Sequence, residues 1–184
     1  MPNWCSTTYV LEGSKKELSK WSKALKEIQT EGKDWMGYVI QKVLPNVNVE
    51  DRSLRSFLVD YSVHRKQIHI YCNEAWGVSD FPDIINDDED SEVFCYYMAE
   101  EPGCGVYVTN DAEQKHFPEK YKVEIGESND TFSEYFTNKE EMFHYINYVT
   151  GSKVHNTDDI CELNERNRKE GVAWQVSVYE FIIE

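Results

Sequence analysis

The chain has 184 residues, with 19 Lys and Arg against 34 Asp and Glu, for a formal net charge of −15. Hydrophobic residues make up 40% and Phe, Trp and Tyr 14%, which excludes a disordered tail because those rings can build a core. The charge argues against a general nucleic-acid binder, which needs a positive footprint for phosphates.

The length predicts a single domain over 1–184, with an insertion-like acidic segment at about 79–92. Residues 1–13 carry no basic stretch ahead of an apolar run, so no secretion signal is expected. No run approaches the roughly 20 apolar residues that span a bilayer, so no membrane association is expected. Cys5, Cys72, Cys95, Cys104 and Cys161 are scattered without a CxxC, as for reduced thiols in a cytoplasmic protein.

In chain order, residues 5–11 alternate as a strand. Ser14 and Glu17 form a capping box for a helix to about Ile28, whose buried stripe is Leu18, Trp21, Leu25 and Ile28. Its other face is a lysine strip: Lys15, Lys16, Lys20, Lys23 and Lys26. Residues 35–44 fit a strand or a short helix, and residues 57–61 are ambiguous. Residues 66–72 read as a strand. Residues 79–92 read as a short helix or an irregular acidic segment. Residues 93–98 and 106–109 form a hairpin around the turn 101–105, and residues 121–125 form another strand. Asn138 caps a helix over 139–149, stopped by Gly151. Thr157 caps a second over 158–169, stopped by Gly171. Residues 172–183 read as one long final strand. The expected class is α+β, an antiparallel or mixed sheet with helices on one face.

Charge is unevenly placed. Residues 67–114 hold 12 Asp and Glu and no Lys or Arg, and Asp87-Asp88-Glu89-Asp90 is the densest point. Such a segment is a solvated loop, a surface for a basic partner, or a cation site. The alternation of Asn86, Asp88, Asp90 and Glu92 resembles half a calcium loop. Ser91 and Tyr97 stand where that loop needs its glycine and its bidentate glutamate.

No His or Cys pair has zinc-ligand spacing, and no phosphate-binding glycine loop or nucleophile elbow is present, so no metal and no cofactor are expected. Cys104 lies in a turn beside Glu100 and Glu101, which should raise its pKa. Trp76 leaves a strand at Glu74-Ala75-Trp76-Gly77 and is placed to line a pocket.

The opening Met1-Pro2-Asn3-Trp4-Cys5-Ser6 resembles the M-x-N-W-C-x-N start of the YubB-like family of phage, prophage and plasmid proteins. Ala75-Trp76 at a strand end and the hairpin at 97–105 are similar to further motifs of that family. Thr7 replaces its usual Asn, and Gly77-Val78-Ser79 its usual S-P-P. The resemblance implies a ferredoxin-like α+β core, carriage on a mobile element and a bacterial cytoplasm, and it implies no reaction.

The expected function is therefore that of a non-catalytic accessory protein of a phage or mobile element. It would bind a protein partner of basic character, in the manner of an acidic, DNA-mimicking inhibitor. Asp83, Asp87, Asp88, Glu89, Asp90 and Glu92 form its contact surface. The alternative is a small-molecule or nucleotide binder, or an enzyme, with a pocket at Glu74, Trp76, Tyr97 and Glu101. Direct nucleic-acid binding, through the lysine strip, is the least expected.

Overall fold

The computed structural model describes residues 3–89, 91–127 and 130–184. Helices and strands mix along the chain, placing it in the α+β class. A single domain is expected from the length. The chain divides into two compact units, Met1–Phe117 with Ile183–Glu184, and Pro118–Ile182. Each has its own apolar core.

The first unit contains β1 (Trp4–Gly13), α1 (Lys15–Thr30), α2 (Gly37–Val43), β2 (Ser56–Val63), β3 (Gln67–Ala75), α3 (Phe81–Asn86), β4 (Val93–Glu101) and β5 (Val106–Thr109). These strands lie side by side in the order β2-β3-β1-β4-β5, with antiparallel neighbours throughout. The alternation of each strand sends Tyr9, Leu11, Ile68, Ile70, Cys95 and Ala99 into one core. Ser14 Oγ accepts from Glu17 N–H and starts α1. The apolar stripe of that helix, Leu18, Trp21, Leu25 and Ile28, is buried. Burial of each such side chain stabilises by roughly 1.5–3 kcal/mol.

Three segments ambiguous in sequence are settled here. Residues 35–44 supply the short helix α2, and the Trp35 ring lies directly on Gly37, leaving no room for a Cβ there. Residues 57–61 belong to β2. The middle of the acidic segment is α3, whose Phe81, Pro82, Ile84 and Ile85 are buried. Phe81 packs between Tyr9, at 4.8 Å, and Trp21, at 6.1 Å between ring centroids.

The second unit has β6 (Tyr121–Glu127), β7 (Asp130–Phe136), α4 (Lys139–Thr150), α5 (Thr157–Glu170) and β8 (Gln175–Glu180). Its antiparallel sheet has the order β7-β6-β8. Val123, Ile125 and Val176 meet Met142, Ile146, Ile160 and Leu163 in the core. Asparagine side chains tie helices to neighbouring backbone as if they were strands. Asn164 receives a hydrogen bond from Val176 N–H at 2.9 Å and donates to its C=O at 2.8 Å. Asn147 brackets Val154 in the same way.

Two expectations for this unit are corrected. The cap of α5 is Asn156, which accepts from Asp159 N–H, and Thr157 is the first helical residue. The long final strand is two pieces, β8 and β9 (Ile182–Ile183), interrupted at Phe181. Phe181 is buried and its N–H turns to Lys120 C=O. In the first unit, Glu184 N–H then bonds Thr109 C=O.

Candidate functional site

The first candidate site lies at the end of β3. Glu74 is on the core face of the sheet and has no exposed surface. Its carboxylate accepts from Thr7 Oγ1 at 2.9 Å, Tyr9 OH at 2.5 Å, Ser79 Oγ at 2.7 Å and Ser79 N–H at 3.2 Å. Register explains the meeting, because Thr7 and Tyr9 lie on the same face of β1, whose Cys5 is opposite Glu74. Among the described residues no Lys or Arg pairs with this carboxylate; four hydrogen-bond donors meet it instead. The charge acts on its neighbours in turn. Burial, and then Glu74, hold the Tyr9 hydroxyl well above its ordinary pKa. Burial raises the Cys5 thiol to about 11, with Glu74 and Glu101 adding to it against the hydrogen bond to Thr7.

Ser79 reaches Glu74 because the chain reverses sharply after β3. Trp76 has φ of 62° and Gly77 φ of 92°, a left-handed pair that costs a non-glycine residue about 1 kcal/mol. Trp76 is 59% exposed, and the Arg55 guanidinium lies 5.2 Å from its ring centroid. Trp76 N–H bonds Asn3 C=O. The side chain therefore lies on the surface, while Glu74 belongs to the interior.

Glu101 is buried near the same turn, its Oε2 3.9 Å from where a Cβ on Gly77 would stand. Tyr97 is buried too; its ring approaches Tyr9, and its hydroxyl donates to Glu184 at 2.8 Å. Of the four residues grouped here from sequence, Glu74, Glu101 and Tyr97 are interior and Trp76 alone is open to solvent. Cys104 is exposed, and a hydrogen bond with Glu101 raises its thiol, against a second from Asn3.

The second candidate site is the acidic corner of α3 and the turn into β4. Asp83, Asp87, Glu89 and Glu92 are exposed and Asp88 is half-buried, while Asp90 lies outside the described residues. The helix buries its apolar side and turns carboxylates outward, so the segment is core structure as well as acidic surface. The Asp83 carboxyl is held above its usual range, by burial first and then by Asp87 and Asp80, in spite of Arg52. Two shallow clefts flank Asp88 and Ser91. One, of about 260 Å³, is lined by Lys20, Trp21 and Leu44. The other, of about 470 Å³, is lined by Glu12, Glu92, Phe94, Tyr96 and Lys115. The lysine strip of α1 is exposed, and two of its members pair on the same helix, Lys20 with Glu17 and Lys23 with Glu27.

Among the described residues, no group of three or more His, Cys, Asp or Glu is placed to hold a metal ion. Nor is any helix among them long and apolar enough to cross a membrane. No family model, curated protein or solved structure matches the chain.

Sequence reading missed β7. Its signal is present in residues 130–136, DTFSEYF, where Phe132, Glu134 and Phe136 alternate with Ser133 and Tyr135. With a carboxylate at its centre, the segment lacks the clean apolar alternation that marks a buried strand.

Proposed function

We propose that the protein acts by binding a basic protein surface through the carboxylates exposed on α3 and the following turn. The supporting observation is the crowding of carboxylates at this corner: Asp83, Asp87, Glu89 and Glu92 are exposed together, and repulsion from Asp87 and Asp80 adds to burial in raising Asp83. Arg52 offsets this only in part, and no Lys or Arg occurs in residues 67–114. A cationic partner relieves that repulsion on docking, and the field speeds its approach. The rigid base beneath the charges, with α3 packed through Phe81 and Ile85, would keep them in a fixed pattern, as a mimic of nucleic-acid charge requires.

The first unit is, in this reading, a ferredoxin-like domain. The succession β1-α1-β2-β3-α3-β4, with α2 inserted after α1 and β5 added beyond β4, and the strand order β2-β3-β1-β4 support that assignment. The N-terminal resemblance supports carriage on a phage or other mobile element, and action in the bacterial cytoplasm.

The test is affinity capture from bacterial lysate with mass spectrometry. Wild type is compared with a variant carrying Asp83→Asn, Asp87→Asn, Glu89→Gln and Glu92→Gln. The expected result is a protein with a basic surface, retained by wild type at low salt and lost both at high salt and with the variant. Equal retention by the two proteins would place the interface elsewhere.

A further inference from the structure

In the second unit, β7 is the edge of a three-stranded sheet, and every residue from Asp130 to Tyr135 is exposed. Its inner side pairs with β6; among the described residues no strand pairs with its outer side. An unpaired strand edge presents a row of backbone donors and acceptors. Beside it runs α4, and between the two lies an open groove of about 1060 Å³ lined by Phe136, Glu140, Glu141, His144, Tyr145 and Tyr148. Phe136 and Tyr145 meet in a tilted contact, 5.2 Å between ring centroids, and Tyr148 is 83% exposed. A second cleft, of about 400 Å³ and lined by Phe132, Val149 and Trp174, lies against the other end of the same strand.

A free strand edge beside an aromatic groove meets both needs of an extended peptide: main-chain pairing for affinity and pockets for alternate side chains. Charge narrows the occupant. Asp130 and Glu134 are the charged residues of β7, and Glu140 and Glu141 stand on the first turn of α4. The Glu134 carboxylate is close enough to raise the Tyr145 hydroxyl, after burial. The nearest lysine of α4, Lys139, lies over the Tyr121 ring at 5.6 Å. Pairing two copies of β7 would bring four carboxylates along one seam, which disfavours self-association.

We propose that β7 and α4 form a docking site for an extended, cationic peptide segment of another protein, added as a strand to the outer edge of β7. Lysine or arginine side chains on the α4 side of the peptide reach Glu134, Glu140 and Glu141, their aliphatic stems lying against Phe136 and Tyr145 in the groove, and apolar residues on its other side lie beside Ser133 and Tyr135. This goes beyond the acidic corner of the first unit and involves none of its residues.

The experiment titrates the full-length protein with fluorescent peptides, read by anisotropy, and maps protection by amide hydrogen exchange. The first peptide alternates Lys and Val; the second alternates Glu and Val. The third and fourth are the Lys/Val peptide N-methylated at alternate amides, one in each register. The Lys/Val peptide should bind saturably and protect residues 130–136. The Glu/Val peptide should bind about tenfold more weakly or worse, and one N-methylated register should lose binding because its edge amides cannot donate. The double variant Glu134→Lys, Glu140→Lys should weaken the Lys/Val peptide about tenfold, and Tyr148→Ala by several-fold, while the acidic-corner variant leaves it unchanged. Absence of saturable binding, equal binding of all Lys/Val forms, or protection away from β7 overturns the proposal. A concentration-dependent dimer protected at β7 also overturns it, assigning the edge to a second copy.

Discussion

Glu74 and Asp111 lie within the same cation-free stretch of sequence as Asp83, Asp87, Glu89 and Glu92, and the fold treats the two groups in opposite ways. Glu74 and Asp111 are interior and surrounded by donors: three hydroxyls and one amide for the first, and the amides of Lys115, His116 and Phe117 for the second. The other four face solvent and make no ion pair among the described residues. A charge count along the chain cannot separate these cases, because it records ionisable groups and not the donors that strand register and loop reversal bring to them. The interior pair contributes to stability, and the exposed four contribute to the electric field outside.

Breaking the interior pair should have the largest effect. In Glu74→Gln one carboxylate oxygen becomes an NH₂ group facing hydroxyl and amide donors, leaving partners unsatisfied in a buried place. The expected loss is about 3 kcal/mol in urea denaturation. A loss below about 1 kcal/mol would show that the four hydrogen bonds do not brace the end of β3.

Asp111 gives a smaller effect with a pH signature. Burial opposes its ionisation, but the amides of His116, Phe117 and Lys115 outweigh it and hold its carboxyl below the ordinary range. A carboxyl depressed by folding stabilises the fold above its unfolded pKa, and that contribution disappears as pH falls through the folded value. Asp111→Asn should therefore cost about 2 kcal/mol at neutral pH. Paired denaturation curves should converge below about pH 4. A gap constant over that range would assign the loss to packing alone.

Much of this arrangement was legible in the sequence. The α1 cap and stripe, the hairpin of β4 and β5, and the starts and stops of α4 follow from local signals of period and cap chemistry. The interior status of Glu74 was not legible, since it depends on Thr7 and Tyr9 arriving from β1 and on Ser79 folding back after Trp76. No local pattern carries a pairing across 65 residues. The split of the final strand was hidden for a similar reason: Phe181 continues the β pattern, but its N–H turns to Lys120. Asn156 and Thr157 are both good caps, and only the geometry of the loop decides between them.

The turn that delivers Ser79 to Glu74 allows a sharper test at smaller magnitude. Trp76 holds a left-handed backbone, so its Cβ is strained whatever its ring does. Trp76→Ala keeps the strain and removes the stacking with Arg55, whereas Trp76→Gly removes both. The glycine variant should be the more stable of the two by about 1 kcal/mol. Equal stabilities would show that the turn relaxes without cost and that the Glu74 brace needs no strained residue to form.

The smallest expected stability change belongs to the four exposed carboxylates. Neutralising Asp83, Asp87, Glu89 and Glu92 together relieves their repulsion, but it also removes Asp83 from the first turn of α3, where a negative charge is favoured. The two effects oppose each other, and exposed sites of this kind shift stability by about 0.5 kcal/mol or less. Denaturation of the quadruple variant should therefore coincide closely with wild type even as capture of the basic partner is lost. A destabilisation above about 1 kcal/mol would mean that these carboxylates brace the fold as Glu74 does, and the division between interior and exposed acids would no longer separate structure from binding.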